Sequence, residues 1–233
     1  MLIVIALLST SSLHSFAEEK KGETYADVGL FSHYVWRGQK LSDGLVIQPS
    51  VGLVYEGIGI NFWSNFDRKT KQHNETDITV NYTFSSDTFE FDVGYIYYAV
   101  EVADDQTGEL FLSTTYDALL SPSATLYYDT DKGDGGFVEF TVDHTLDLSD
   151  AMQLNIGALV GYNLSNSVME EEDKAFNGFY NGELSVSLPY SISKELSVEA
   201  LLAYSFPLRD VEFIKIPLLL VFLPALSRQV FVA

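Results

Sequence analysis

Apolar and polar residues alternate along most of the chain with the two-residue period of a β-strand. Residues 88–100 place Phe89 and Val93 on one face and Glu90 and Asp92 on the other, and residues 77–84 and 183–192 follow the same pattern. No helical period of comparable length competes with it. The pattern predicts eleven clear strands, at residues 24–37, 45–55, 58–67, 76–85, 88–100, 108–117, 121–130, 136–147, 151–163, 179–192 and 195–206.

The segments between the predicted strands are alternately long and short. Long polar segments occur at residues 68–75, 101–108 and 164–178, and short ones occur at residues 85–87 and 193–195. Transmembrane β-barrels have longer loops at one end and tight turns at the other, and their apolar face is turned outward to lipid. The predicted fold is therefore all-β, an up-and-down antiparallel transmembrane β-barrel of about 12 strands with its aromatic residues outside.

The first 17 residues have the features of a signal peptide. An apolar segment at residues 2–8 precedes Ser15 and Ala17, two small residues at the positions that a signal peptidase reads. The barrel is predicted to occupy residues 18–233. No window of the sequence reaches the roughly 18 to 20 apolar residues that a spanning helix needs. We therefore expect the protein in the outer membrane of a Gram-negative bacterium, where it contacts lipid and the barrel assembly machinery.

The last part of the chain, residues 207–233, departs from the alternating pattern. A closed barrel needs a twelfth strand, because an even number allows the last strand to pair with the first. Pro217 and Pro224 interrupt the apolar segment that remains, and proline cannot donate to a strand ladder. We expect residues 211–216 to pair with the first strand and the rest of this irregular tail to be loosely ordered.

The charge of the chain limits its partners. Acidic residues number 33 and basic residues 13, which gives a net charge of −20 and argues against nucleic acid, whose phosphates require Lys and Arg. Carboxylates on the polar strand faces would line the lumen and favour small cations over anions. The candidate pore-lining residues on these faces are Asp77, Asn81, Glu90, Asp92, Asn155 and Glu199.

Arg37 is a further candidate pore-lining residue, at the outer end of the first predicted strand. One interpretation places its guanidinium in a constriction, where charged rings select ions. The other interpretation is structural and pairs Arg37 with Asp27, Asp43 or another lumen carboxylate, as charges in narrow barrels commonly do.

Catalytic and metal sites find little support in the sequence. The acidic segment at residues 129–136 lacks the Gly and Glu of a calcium-binding EF-hand loop, so an acidic hairpin turn is the better interpretation. His33, His73 and His144 fall in no zinc-binding or nucleophile motif. We expect no enzyme activity, no metal site and no cofactor, and no disulfide can form because the chain has no cysteine.

Residues 26–67 resemble the opening of the TorF-type porins, also known as the Gcw_chp family of outer-membrane proteins. The resemblance rests on Ser32, Tyr34, Arg37 and Gly38 in "SHYVWRG", on Gln48, and on Trp63, Ser64 and Asn65 in "GINFWSN". It implies a small outer-membrane barrel that acts as a porin, with no catalytic residues to carry over. The chain departs from this family at its end, where a terminal aromatic residue is expected and Ala233 stands instead.

Two functions of different classes follow from this pattern. The first is a porin-like channel for small solutes or ions with a preference for cations. The alternative is a non-conducting structural or adhesive barrel whose acidic external loops bind partners.

Overall fold

The computed structural model describes residues 22–101, 105–169, 176–209 and 221–229. Its strands, in chain order, are β1 (Glu23–Phe31), β2 (Val35–Trp36), β3 (Gln39–Lys40), β4 (Val46–Tyr55), β5 (Ile58–Asp67), β6 (Gln72–Ser86), β7 (Phe89–Val100), β8 (Asp105–Tyr116), β9 (Ser123–Asp129), β10 (Gly135–Ser149), β11 (Met152–Leu164), β12 (Asn177–Ser191), β13 (Leu196–Pro207) and β14 (Val221–Gln229). No helix within these ranges is long and apolar enough to cross a membrane. The predicted signal peptide lies outside the described residues.

Twelve strands, β1 and β4–β14, form one closed barrel in which every strand pairs antiparallel with its neighbours. The order around the ring follows the chain, and the ring closes where β1 pairs with β4 on one side and with β14 on the other. Strands β2 and β3 form a separate two-stranded sheet. The predicted fold class is confirmed, and closure satisfies the backbone groups that an open sheet edge would expose to lipid.

The large apolar side chains of the barrel strands point away from its interior. On β5, Ile60 and Phe62 are exposed, whereas Asn61 and Asn65 are buried. A soluble barrel would bury the apolar set instead, so this inverted arrangement is typical of a wall that faces lipid. Further exposed apolar side chains lie on the same outer face of their strands, namely Val51, Leu53, Val80, Tyr82, Phe84, Val93, Leu110, Leu112, Phe140, Val142, Leu184, Val186 and Leu188.

The two ends of the barrel differ in the length of their connections. At one end, here the turn end, the strands are joined by residues 56–57, 87–88, 117–122, 150–151 and 192–195. At the other, here the loop end, the connections are residues 32–45, 68–71, 101–104, 130–134, 165–176 and 208–220. The connections at the loop end are longer on average, but β6 begins at Gln72 and β8 at Asp105, so the long segments predicted at residues 68–75 and 101–108 are shorter than predicted and the alternation holds only in part.

The first predicted strand, residues 24–37, is too long. The wall strand β1 ends at Phe31, and the chain then turns inward, so Arg37 does not lie at the end of a wall strand. The error arises because the inserted segment forms strands of its own, β2 and β3, which continue the same extended pattern in the sequence.

The expectation that the tail beyond residue 216 is loosely ordered is wrong for residues 221–229. These residues form β14, which pairs with β13 from Leu201↔Val221 to Leu196↔Leu226 and with β1 from Asp27↔Ala225 to Glu23↔Gln229. Pro224 falls inside this strand. The ladder to β1 ends at Ala225, directly beside Pro224, which has no N–H to donate. Residues 211–216, which were expected to pair with the first strand, lie outside the described residues.

We predict that the loop end faces the cell exterior and that the turn end faces the periplasm. Trypsin added to intact cells should cleave at Arg68, Lys69 or Lys71, which are exposed in the connection between β5 and β6, and should spare Lys194 at the turn end. Permeabilised cells serve as the control, since Lys194 is also exposed and should then be cut. Cleavage confined to Lys194 in intact cells would reverse the orientation.

Candidate functional site in the barrel lumen

The connection between β1 and β4, residues 32–45, folds into the lumen as a small hairpin, here the inserted hairpin. β2 and β3 pair through Val35↔Lys40 and Trp36↔Gln39, and Arg37 and Gly38 between them have φ angles of 47° and 80°. Positive φ at both central residues is the geometry of a type I′ turn, which glycine adopts freely and which costs a residue such as Arg roughly 1–3 kcal/mol. This strained turn places the Arg37 guanidinium at the tip of the hairpin.

Aromatic contacts join the inserted hairpin to the inner wall. The ring of Tyr34 lies 5.5 Å from that of Trp63 on β5, and the ring of Trp36 lies 6.0 Å from that of Tyr98 on β7. Tyr34, Val35 and Arg37 are buried, although they belong to a connecting loop. The hairpin therefore occupies the cross-section of the lumen near the loop end.

The tip of the inserted hairpin is held by an ion pair across the lumen. The two terminal nitrogens of Arg37 donate to the two carboxylate oxygens of Glu109 on β8, at 2.6 and 2.8 Å. Tyr98 donates a third hydrogen bond to Glu109, at 2.9 Å. Arg37 is 4% exposed and Glu109 0%. A buried, bidentate pair of this kind leaves neither charge uncompensated.

Three aromatic rings surround the same guanidinium. Its central carbon lies 4.6 Å from the ring centre of Trp36, 4.2 Å from that of Tyr127 on β9 and 4.8 Å from that of Phe137 on β10. Arginine is suited to this position because its planar cation binds a carboxylate at its edge and aromatic rings at its faces. Since β8, β9 and β10 lie across the ring from the seam of β1 and β4, the hairpin bridges the lumen.

Polar contacts fix the base of the inserted hairpin at the loop end. Ser42 donates a hydrogen bond to Asp67 at the end of β5. Asp43 binds Lys40 at 2.6 Å and Lys69 at 2.8 Å, and hydrogen bonds from these two ammonium groups hold the pKa of Asp43 below its ordinary value. The side chain of Asp43 is 55% exposed, so this network orients the loop more than it stabilises it.

A second loop covers the inserted hairpin. Residues Ser167–Met169 form a 3-10 turn whose Met169 is buried against Phe137. Gln39 of the hairpin donates to the backbone oxygen of Val168 at 3.2 Å. The side chain of Asn166 accepts from the Val168 backbone at 3.0 Å, which fixes the turn. Two loops thus meet inside the loop end of the barrel.

The inner wall formed by β1 and β4–β13 is acidic. Strands β1 and β4–β13 contain no Lys or Arg. Six carboxylates of this wall are buried, namely Asp67, Glu75, Glu109, Asp129, Glu139 and Glu183, and none of them was among the predicted pore-lining residues. Their inward position could have been predicted from strand alternation, whereas their burial depends on the inserted hairpin and on barrel closure.

The predicted pore-lining residues lie on inward strand faces but form no single ring. Asn81 on β6 donates to Asp92 on β7 at 2.8 Å. Asn155 on β11 accepts from Thr145 at 2.9 Å and donates to Ser187 at 3.2 Å. Three predicted residues remain apart from these pairs, namely Asp77 on β6, Glu90 on β7 and Glu199 on β13.

Two of the predicted residues, Asp77 and Arg37, have environments that the sequence did not indicate. One carboxylate oxygen of Asp77 is buried without a hydrogen-bond partner. Arg37 reaches the lumen from the hairpin rather than from a strand, and its partner is Glu109, not Asp27 or Asp43. The structural interpretation paired Arg37 with Asp27, Asp43 or another lumen carboxylate, and Glu109 is that other carboxylate.

His73 lies on the outside of the barrel with polar side chains around it. Ser64 lies 2.5 Å from His73 Nε2, and Glu101 lies 3.5 Å from His73 Nδ1. The Glu101 contact exceeds hydrogen-bond length, and the side chains of His73 and Glu101 are 47% and 40% exposed. The Thr76 hydroxyl also lies 3.2 Å from His73 Nε2 and donates a hydrogen bond to Glu101 at 2.9 Å, so these side chains form an exposed polar cluster.

The acidic segment at residues 129–136 closes its own turn. Asp129 Oδ1 accepts from the Thr107 hydroxyl at 2.7 Å and from the Asp131 backbone at 2.9 Å. These contacts agree with the interpretation of the segment as an acidic hairpin turn.

No protein-family model matches the chain, and no curated protein matches it. Among solved structures, it is similar to the KdgM porin, with a TM-score of 0.53 and 12% identity over 90% of this chain and 99% of that chain. It is also similar to the NanC porin, with a TM-score of 0.50 and 11% identity over 88% of this chain and 97% of that one. An outer-membrane channel of Pseudomonas putida F1 gives a TM-score of 0.50 and 9% identity, over 91% and 97% of the two chains.

These likenesses concern the fold, because the identities are low. Together with the apolar outer face, they establish the chain as an outer-membrane β-barrel of the porin-like type. The resemblance to TorF-type porins stays a prediction that rests on the motif residues in and after the inserted hairpin.

Proposed function

We propose that this protein is a porin-like channel that passes small solutes and ions across the outer membrane and prefers cations. The observation that carries the proposal is the charge of the lumen. The described wall strands β1 and β4–β13 present carboxylates and no Lys or Arg. Two basic side chains of the inserted hairpin are already paired, Arg37 with Glu109 and Lys40 with Asp43.

The charge balance of the lumen favours cations over anions. Carboxylates that face a narrow lumen without a basic partner raise the local concentration of cations and repel anions. The porin fold of the solved neighbours supports passage of solutes, and one structure of KdgM is described as a complex with oligogalacturonate. We do not extend that ligand to this chain, because an acidic lumen disfavours anionic solutes.

The inserted hairpin defines the narrow section of the proposed channel. Its buried aromatic residues and the Arg37–Glu109 pair occupy the loop end, whereas polar residues such as Asn155 and Glu199 face the lumen nearer the turn end. A solute would pass beside the hairpin or after a displacement of it. The role proposed is passage rather than catalysis, and the TorF-type resemblance is part of the same proposal.

The preference for cations is tested by reversal potentials of the purified, refolded protein in planar bilayers with a salt gradient. We expect a potential of the cation-selective sign, and we expect Glu199→Gln and Asp92→Asn to shift it toward zero. Asp131→Asn is the matched control, since Asp131 is exposed in the connection between β9 and β10. Anion selectivity would contradict the proposed preference.

The second candidate function is that of a non-conducting barrel with a closed lumen, and the inserted hairpin buried in the lumen favours it. If the refolded barrel gives no conductance above that of a bare bilayer, the protein is a structural or adhesive barrel whose acidic loops bind partners. The same bilayer recordings decide between the two functions.

A further inference from the structure

A small cavity opens on the inner wall between β10, β11 and β12, on the turn-end side of the inserted hairpin. Its lining includes Thr141 and Asp143 from β10, Leu159 from β11, and Glu183 and Ser185 from β12. The barrel register sets these residues in two adjacent rows, with Thr141, Leu159 and Glu183 in one and Asp143, Gly157 and Ser185 in the next. The wall therefore concentrates two carboxylates and two hydroxyls around one cavity.

Gly157 in the middle strand provides the room for this cluster. A Cβ atom at Gly157 would lie 2.5 Å from Asp143 Oδ1 and 2.6 Å from Ser185 Oγ. The side chains of the two outer strands therefore lean toward each other over the glycine, where any larger residue would collide with both. The aspartate and the serine hydroxyl thus lie close together at the lumen surface.

Glu183 lies at the back of the cavity with an unused oxygen. Its side chain is 4% exposed, and Oε2 has no hydrogen-bond partner. Asn181, the next inward residue of β12, is 0% exposed, and neither its amide oxygen nor its amide nitrogen has a partner. Leaving such groups unsatisfied in the interior is unfavourable, and more so if they are charged. Of these unpaired atoms, Glu183 Oε2 belongs to a residue that lines the cavity, where a ligand can reach it.

We propose that this cavity, here the β10–β12 pocket, binds a hard divalent cation such as Ca²⁺ through the carboxylates of Glu183 and Asp143. Oxygen ligands suit hard cations, and two carboxylates balance a double positive charge. The described residues contain no set of three or more His, Cys, Asp or Glu side chains placed to hold a metal ion. Because Ca²⁺ takes about six to eight oxygen ligands, the proposed site needs water in addition to the two carboxylates.

This inference rests on the proposed function to the extent that the cation reaches the pocket through the lumen. Asp143 is accessible from the lumen and Glu183 is buried behind it. The pocket thus opens to the lumen at Asp143 and ends at the buried Glu183 carboxylate. An occupied pocket would place a positive charge on the path of permeating ions. Bound Ca²⁺ would then lower the current carried by monovalent cations.

The test is equilibrium dialysis of radioactive Ca²⁺ against the folded protein in a non-ionic detergent. We expect one saturable site per chain, and we expect Glu183→Gln or Asp143→Asn to weaken it roughly tenfold or more. Glu199→Gln is the matched control, because it removes one inward carboxylate from another part of the wall. If Glu183→Gln and Glu199→Gln weakened Ca²⁺ binding equally, the binding would come from the overall negative charge of the lumen and not from the pocket. That result would overturn the proposal.

A second pair of variants tests the pocket without changing charge. Gly157→Ala should abolish the site, because the added Cβ occupies the space between Asp143 and Ser185. Gly178→Ala on β12 is the control, since its added Cβ would come no closer than 3.8 Å to the Phe176 side chain. Folding of each variant is verified by electrophoresis in detergent, in which a folded barrel that has not been heated migrates differently from the heated, unfolded chain. Unchanged Ca²⁺ binding in folded Gly157→Ala would refute the pocket.

The dialysis result is independent of conductance. Cation-selective conductance without a saturable Ca²⁺ site refutes the pocket and leaves the proposed function intact. A saturable site in a barrel that carries no current refutes the channel and leaves the pocket intact.

Discussion

Replacing Arg37 with methionine should weaken the docking of the inserted hairpin by about 3–5 kcal/mol, the cost of breaking a buried ion pair from one side. The substitution leaves the Glu109 carboxylate, which is 0% exposed, with the Tyr98 hydroxyl and no cation. Methionine at position 37 would have the same positive φ angle as Arg37, so the substitution relieves no backbone strain that could offset the loss. The measurement is the free energy of unfolding by urea of the barrel in lipid vesicles.

Release of the hairpin is the competing response to this substitution. If the hairpin leaves the lumen, global stability falls only by its docking energy, and Lys40 in β3 becomes accessible to trypsin. The side chain of Lys40 is 14% exposed in the docked state. Arg37→Met with neither a loss of stability nor new cleavage at Lys40 would contradict the buried pair.

The double variant Arg37→Met, Glu109→Gln separates charge from packing. It removes both charges and keeps the volume of each side chain, so most of the lost stability should return. Arg37→Lys is the matched control for geometry, since lysine keeps the charge but cannot form the bidentate contact. We expect Arg37→Lys to fall between the wild type and Arg37→Met.

The wall of the barrel could be predicted from the sequence because a strand in a membrane barrel has two chemically different faces. The run at residues 88–100 predicts β7, observed as Phe89–Val100, almost to the residue. Alternation of this kind is a local property, and it follows from one face meeting lipid and the other meeting the lumen. The inward faces of Asp77 and Asn155 follow from the same rule.

The inserted hairpin could not be predicted because its residues satisfy two structures equally well. "SHYVWRG" is as apolar and extended as a wall strand, so the segment was assigned to the first strand. One local signal was present, since a residue followed by glycine at positions 37–38 is typical of a tight two-residue turn. The partner of Arg37 was beyond prediction, because Glu109 lies 72 residues further along the chain.

The closing strand shows a related difficulty. Proline disfavours a strand when both of its edges are paired, and on that ground the tail was expected to be irregular. In the barrel, β14 pairs with β1 only from Ala225 to Gln229, so Pro224 faces a position where no ladder bond to β1 is needed. Whether a proline breaks a strand depends on which neighbour its nitrogen faces, and that is a property of register, not of composition.

Removing the inserted hairpin should raise single-channel conductance several-fold and leave the barrel folded. Replacing residues 33–42 with a short Gly-Ser linker deletes the buried Tyr34, Val35 and Arg37 from the lumen but touches no ladder bond of the twelve-stranded wall. Conductance of a tube is limited by its narrowest section, which the hairpin occupies. Glu109 then faces water instead of a buried cation, so its carboxylate stays solvated and adds to the preference for cations.

The measurement for this variant is single-channel current in planar bilayers, with the reversal potential recorded in the same traces. A Gly-Ser replacement of residues 193–195 is the control, because that turn lies at the opposite end of the barrel and should leave the current unchanged. An open wild-type channel whose current is unaffected by loss of the hairpin would mean that ions pass elsewhere. A silent wild type that conducts once the hairpin is removed would instead identify the hairpin as the element that closes the lumen.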